Sequence, residues 1–327
     1  MLYSISDFRI LSLRFKHHRG FAGLSSTHAH WLTSRLRLLL LTFAQYPAME
    51  STEIPVSASS NDVLTTMDRK PISSELYDDL VFYFKYASCA YNLVCPRPNG
   101  KHLVTPFTNP VTDIQGFVAR DDERKEIVVA IRGSLSLTDF LMDGQLALVP
   151  MISPGVSVPH GTRVHSGFLV CWNSVSLEII EIVRNQINKH DYSVVVVGHS
   201  LGGALTDFAG VSLKQHFPDR DFRLYSYGAP RTGNEIFAHF INEEFGTEAF
   251  RVVHTTDGVP TMIPAMLGYH HHGIEYWQHT DPASAESTTQ CSADGEDPTC
   301  SASVPTGGIN PAHVWYFGIM ASTSFCY

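Results

Sequence analysis

The chain lacks a membrane-spanning run. Its leading apolar stretch, LLLLTFA at residues 38–44, is seven residues long, against about 20 for a helix that crosses a bilayer. Charge is sparse as well: 17% of the 327 residues are Asp, Glu, Lys or Arg and 44% are hydrophobic, the balance of a soluble globular chain able to bury a large core. There is no basic surplus to hold a polyanion. The net charge is −9, and residues 1–49 hold six Lys and Arg against one acid, so that segment is +5 and the remainder −14. An acidic main body argues against a nucleic-acid partner. No internal repeat and no N-x-Ser/Thr sequon are present, and cysteine is limited to six, a number that suits an oxidising compartment.

What is there begins with a divided N-terminus. Arg35 and Arg37 precede the apolar run, and Thr42 and Ala44 carry the spacing of a signal-peptidase site. The segment reads as a short secretory signal with the mature chain starting at or after Gln45. The Arg-, Ser- and His-rich stretch before it, poor in acids, also has the composition of an organellar transit peptide. Residues 50–70 are polar and aperiodic, the pattern of a pro-segment or linker. The domain expected to carry the function is 71–327.

From Pro71 onward the periodicity is continuous. Leu76, Leu80, Tyr83 and Ala87 share one helical face after Ser73, a good N-cap. DIQGFVARD and EIVVAIRGS read as a hairpin around the charged turn 121–125. A helix of about 22 residues is expected from Phe168, with Trp172, Val175, Ile179, Ile182, Val183 and Ile187 at helical spacing. Then come a strand at 192–197, a helix from Leu201 to Lys214, the strand FRLYSYG, a helix from Asn234, and the strand FRVVHT. Strands alternating with such helices predict an α/β fold, a mostly parallel sheet covered on both faces.

The stretch VVVVGHSLGGAL at 194–205 carries the chemistry. A central strand runs into Gly198, and Gly198 and Gly202 allow a turn sharp enough to hold Ser200 at its apex, at the C-terminal edge of the sheet and beside a helix N-terminus. Serine there is a candidate nucleophile. A base must activate it, and an acid must orient the base. Asp257 follows an apolar strand at the right edge, whereas Asp219 and Asp221 precede theirs. For the base the sequence offers the run 270–272, His270, His271 and His272, or His313 in NPAHVWYFG. The triple histidine has no Cys or acidic partner at ligand spacing, so no metal site is expected.

VHSGF at 164–168, GHSLGGAL at 198–205, YSYGAPRTGN at 225–234, DGVP at 257–260, EYW at 275–277 and AHVWYFG at 312–318 occur in the order found in the class 3 filamentous-fungal lipases. From about Leu76 to Cys326 the chain resembles that α/β-hydrolase family, whose group also includes feruloyl esterases. The resemblance implies a secreted carboxylic ester hydrolase acting on acylglycerols at a lipid–water interface, without a cofactor. An aryl esterase and a non-catalytic hydrolase-fold binder stand as alternatives. By the same resemblance Ser200, Asp257 and His313 match the triad, and His271 matches a packing histidine near the site. Ser134 and the N–H of Leu201 match the oxyanion hole, with Asp143 holding Ser134. LSLTDFLM at 135–142 matches a short helical lid with Leu137, Phe140 and Leu141 on its apolar face; Phe140 stands where many relatives have tryptophan. Cys291 and Cys300 resemble a family disulfide. Cys326 resembles the partner of a cysteine after the first helix, here Cys89 or Cys95, while Cys171 reads as a buried thiol. IPAMLGY at 263–269 suits either an apolar rim or the core.

Overall fold

Runs such as 127–131 and 194–197 show no polar alternation because both sides of the strands they form are covered. In the computed structural model, which describes residues 70–134, 146–304 and 308–327, the strands in chain order are β1 (His102–Asn109), β2 (Ile114–Asp121), β3 (Glu126–Ile131), β4 (Leu148–Pro150), β5 (Arg163–His165), β6 (Ser193–His199), β7 (Phe222–Tyr227), β8 (Ala249–His254), β9 (Glu275–Gln278) and β10 (Thr288–Gln290), with a two-residue pair, β11 (Trp315–Tyr316) and β12 (Ile319–Met320), last. The main sheet has eight strands in the order β1-β2-β3-β6-β7-β8-β9-β10. Its five central strands, β3 to β9, pair in parallel, and antiparallel strands close both edges. The expected α/β architecture is the one found. The signal segment, residues 50–69 of the linker, Asp143 and the lid residues Leu137, Phe140 and Leu141 lie outside the described residues.

Successive strand residues point to opposite faces, and the two faces have different tenants. Ile127, Val129, Ile131, Val194 and Val196 pack with α2 (Ser166–Asn173), α3 (Ser176–Ile187), α4 (Leu201–His216) and α5 (Glu235–Phe245). Val128, Ala130, Val195 and Val197 face α1 (Ser74–Cys89), through Leu80, Tyr83, Phe84 and Ala87. Each such buried side chain contributes about 1.5–3 kcal/mol relative to exposure. The Ser73 hydroxyl accepts from the Leu76 N–H at 3.2 Å, which starts α1 where the sequence places it.

The single long helix expected from Phe168 is two helices, α2 and α3, bent by 50°. The cause is local. Ser174 donates its hydroxyl to the Cys171 carbonyl at 2.7 Å, and the carbonyl of Ser174 accepts from Asn109 Nδ2 at 3.1 Å. Thr112 Oγ1 reaches the same hydroxyl at 2.8 Å. Side chains from the β1–β2 turn thus enter the helical ladder and break it. Trp172, Val175, Ile179 and Val183 keep their common buried side across the bend. Among the described residues no single helix is long and apolar enough to cross a membrane.

Two disulfides are formed. Cys291 pairs with Cys300, and Cys95 rather than Cys89 pairs with Cys326, across 231 residues. Cys89 sits too early in the chain: it is buried in α1 with its Sγ against the Phe325 carbonyl at 3.2 Å. Cys171 is buried, and burial pushes its thiol up to about 12. In 263–269, Ile263 and Tyr269 are core residues while Met266 and Leu267 are exposed, so both expectations hold in part.

Two thiols per chain should therefore titrate in denaturant without reductant. In the chain-entropy view a closed loop this long stabilises by on the order of 5 kcal/mol at most, so Cys95→Ser should lower the urea midpoint far more than Cys89→Ser. Equal effects of the two would refute the pairing.

Candidate active site

β6 ends at His199 and α4 begins at Leu201, so one residue must reverse the chain. Ser200 does so with φ 61° and ψ −125°, a backbone conformation that costs a non-glycine residue about 1–3 kcal/mol. The Ser200 N–H donates to the Tyr227 carbonyl at 2.9 Å, and its own carbonyl accepts from Ala204 at 3.1 Å. Glycine makes the turn possible by absence of a side chain. A Cβ at Gly198 would collide with the Gly202 carbonyl, and one at Gly202 with the Ile131 carbonyl of β3. The turn is as tight as the sequence pattern predicts.

Asp257 and His313 reach the same edge from later segments. Asp257 comes after β8 and receives the Val259 N–H on Oδ1 at 2.9 Å, at the start of α6 (Val259–Met262). His313 is carried by α7 (Pro311–Val314). Its Nδ1 lies 2.9 Å from Asp257 Oδ2 and 3.1 Å from Oδ1. The Tyr316 hydroxyl donates to Oδ2 at 2.6 Å. Burial works against the Asp257 charge, yet the bond from His313, its proximity, and the donors Tyr316 and Val259 hold the carboxyl below its ordinary value. Because the carboxylate only accepts, Nδ1 carries a proton and donates a hydrogen bond to Asp257. Gly228, with φ 57°, lies directly under this pair, and a Cβ there would come within 2.6 Å of Asp257 Oδ2 and 3.0 Å of His313 Nδ1.

Ser134, Ser200 and His313 line one cavity of about 240 Å3, together with Tyr91, His199, Ile309, Val314, Met320, Ala321 and Ser322. The hydroxyl of Ser200 is buried and has no hydrogen-bond partner among the described residues. Leu201 is the first residue of α4, so its N–H is one of the donors the helix itself cannot satisfy. Three of the side chains that meet here, and one backbone donor beside them, are those the sequence points to. Tyr91, His199, Gly228 and Tyr316 are not. The last three stand inside the motifs GHSLGGAL, YSYGAPRTGN and AHVWYFG, so membership of those motifs was the available signal.

The triple histidine is dispersed. His271 is buried with its N–H on Glu296 Oε1 at 2.8 Å and its Nε2 on the Pro260 carbonyl at 2.8 Å. Burial first, then Arg251 and Arg231, keep it neutral. His272 faces Asp207 at 3.3 Å and His270 bonds the His271 carbonyl at 2.8 Å. His271 braces the loop after Asp257, a packing role.

Residues 128–267 match the sequence model of the lipases of class 3, described as Lipase (class 3). A secreted alkaline triacylglycerol lipase of Penicillium cyclopium is 34% identical over 260 residues, spanning 79% of this chain and 90% of that relative. A secreted mono- and diacylglycerol lipase of Fusarium solani is 36% identical over 225 residues, spanning 63% of this chain and 65% of that relative. The crystal structure of a triacylglycerol lipase from Penicillium expansum superposes with a TM-score of 0.72 at 32% identity, covering 79% of this chain and 99% of that one.

The strain in the serine turn and the burial of its neighbour are both measurable. Ser200→Gly should be more stable than Ser200→Ala by about 1 kcal/mol, since glycine accepts the positive φ; equal urea midpoints would contradict the strain. His199 is fully buried, and burial first, then the adjacent His313, push its imidazole down to about 3, whereas an unfolded histidine titrates near about 6.5. Between those values the unfolded chain takes up a proton that the folded chain does not. Stability is therefore full above about pH 6.5 and declines as pH falls toward the folded value, by on the order of a few kcal/mol. His199→Gln should flatten the slope of urea midpoint against pH between about 6.5 and 4. With its parallel sheet, its strained serine turn, its buried acid–histidine pair and these relatives, the chain belongs to the class 3 lipase family.

Proposed function

We propose that the protein is a secreted, serine-dependent acylglycerol lipase whose triad is Ser200, His313 and Asp257. The observation that carries this reading is the geometry around Asp257: a buried carboxylate with three donors, one of them His313 Nδ1 at 2.9 Å, and His313 in turn lines one cavity with Ser200. The activity named for its relatives agrees with that chemistry.

Ser200 Oγ attacks the ester carbonyl carbon while His313 Nε2 takes the hydroxyl proton. Asp257 keeps the imidazole in the tautomer this needs and offsets the positive charge that forms on it. The carbonyl oxygen becomes an anion facing the Leu201 N–H and Ser134, donors fixed before the reaction starts. Collapse of this intermediate breaks the ester C–O bond, and His313 returns the proton to the leaving alkoxide. Water then repeats the cycle on the acyl-enzyme and releases the carboxylic acid.

The rim of the cavity supports an ester of low polarity. Ile309, Val314 and Met320 line it and Trp315 adjoins them, and all four are between 39% and 44% exposed. Apolar groups in this position favour a substrate presented at a lipid surface. Leu137, Phe140 and Leu141 extend the same reading: an apolar lid held over the groove in water and released at the interface.

Ser200→Ala and His313→Ala should each lose on the order of 10³-fold or more in turnover while the fold survives, whereas His271→Ala should lose far less. Rates on tributyrin should step up as it passes its solubility limit, and Phe140→Asp should weaken that step more than hydrolysis of dissolved short-chain esters. A wild type with no step that cleaves methyl ferulate faster than any emulsified acylglycerol would replace this reading with an aryl esterase.

A further inference from the structure

Behind the triad stand two side chains that no step of the hydrolysis uses. The hydroxyl of Tyr91 lies 2.7 Å from His199 Nδ1, and His199 Nε2 lies 2.7 Å from the backbone carbonyl of His313. A carbonyl can only accept, so His199 Nε2 carries the proton, Nδ1 accepts, and Tyr91 donates. The order of donors is thereby fixed along the whole chain. Tyr91 also faces the oxyanion side of the cavity: a side chain at Gly133, next to Ser134, would collide with its hydroxyl. Burial pushes the phenol up, against the pull of Arg132 and the Gly133 N–H, so it stays a donor. The imidazoles of His199 and His313 are in tilted contact, 4.6 Å between centroids and 32° between planes.

The segment bearing His313 cannot hold itself in place. α7 has four residues, less than the length at which a helix has intrinsic stability, and its carbonyls are tied from outside. The His313 carbonyl is held by His199, and the Ala312 carbonyl is held by His254 Nδ1 at 3.0 Å. Two buried polar rings are a costly way to fill this space, since well-packed apolar side chains would avoid their desolvation.

We propose that Tyr91 and His199 are positioning residues for the ester hydrolysis, the Tyr91 hydroxyl–His199–His313 carbonyl chain holding the base in register with Ser200 and the Gly133–Ser134 turn. The inference rests on the lipase reading and on the triad assigned there. It joins three parts of the site that come from distant stretches of sequence: the turn after α1, the residue before the nucleophile, and the C-terminal segment. Misplacement of a reacting group by about 1 Å costs on the order of 10²-fold in rate, which sets the scale of what such a chain can control.

The test uses the full mature chain, with active sites counted by a p-nitrophenyl alkylphosphonate and turnover measured on p-nitrophenyl butyrate. His199→Leu keeps the volume and removes both bonds, so kcat per titrated site should fall by about 10- to 100-fold with KM changed less than about twofold. Tyr91→Phe should lose a smaller amount, about 3- to 10-fold, and the double variant should be no worse than His199→Leu alone, because the two act as one unit. His199→Gln, whose amide can still donate to the His313 carbonyl from the Nε2 position, should stay within about threefold of wild type. Wild-type kcat per site in both His199→Leu and Tyr91→Phe, with only the melting temperature lowered, would overturn the proposal; so would a Gln variant as impaired as the Leu variant. Should His199→Leu not fold, Tyr91→Phe and His199→Gln still decide it: full turnover in the first or large loss in the second is fatal. Ser200→Ala is the separate control, and its retention of turnover would sink the lipase reading itself.

Discussion

A strand, a helix and a neighbouring strand meet at Ser200 closer than any side chain would permit. Gly198 lies on Gly202, and Gly202 on the Ile131 carbonyl, so β6, α4 and β3 approach backbone to backbone. That approach is what raises the serine above the sheet edge with φ 61°, and the cost of about 1–3 kcal/mol is sustained by the surrounding packing. It also brings the end of β3, with Gly133 and Ser134, beside the first turn of α4. Ser134, Leu201 and Ser200, the proposed oxyanion donors and nucleophile, are thereby brought together by one contact between glycine and a carbonyl.

Around that contact the other members of the proposed triad arrive by different physical routes. Asp257 is held by backbone geometry, its N–H on the His254 carbonyl at 2.8 Å and its carboxylate on the Val259 N–H. Its charge, buried, is stabilised by Tyr316 and His313. The loop beyond it leans on His271, which is itself fixed by Glu296, and Glu296 by a two-pronged bond to Arg231 at 2.6 and 2.7 Å. His313 has no such ladder of its own and is set by side chains reaching in from β6 and β8.

Much of this is legible in the residues alone because the signals are local. The central strands read as continuous apolar runs, Ser73 as a cap, and Gly-x-Ser-x-Gly as a turn, each because neighbours in sequence decide it. What sequence did not reveal depends on groups far apart in the chain. The break between α2 and α3 comes from Asn109 and Thr112, whose side chains lie 65 and 62 positions from Ser174; a helical wheel cannot contain them. The choice of Cys95 over Cys89 turns on where α1 ends and which face of it the C-terminal tail crosses. Between His313 and the run 270–272, spacing left the base open, and motif order pointed to His313. The link from Tyr91 to His199 spans 108 positions, and nothing in the residues near Tyr91 announces it.

The C-terminal tail also closes the cavity. Met320, Ala321 and Ser322 form part of its wall, the Ser88 hydroxyl holds the Thr323 carbonyl at 2.7 Å, and the Cys95–Cys326 bond ties the tail to the loop after α1. This wall is therefore translated after every other part of the site. A nascent chain that has not reached it lacks one side of the pocket, and a released one secures that side with a covalent bond that forms and persists where thiols are oxidised. The order of biosynthesis thereby sets the order of assembly: the last wall of the pocket is completed late and is fastened only in an oxidising compartment.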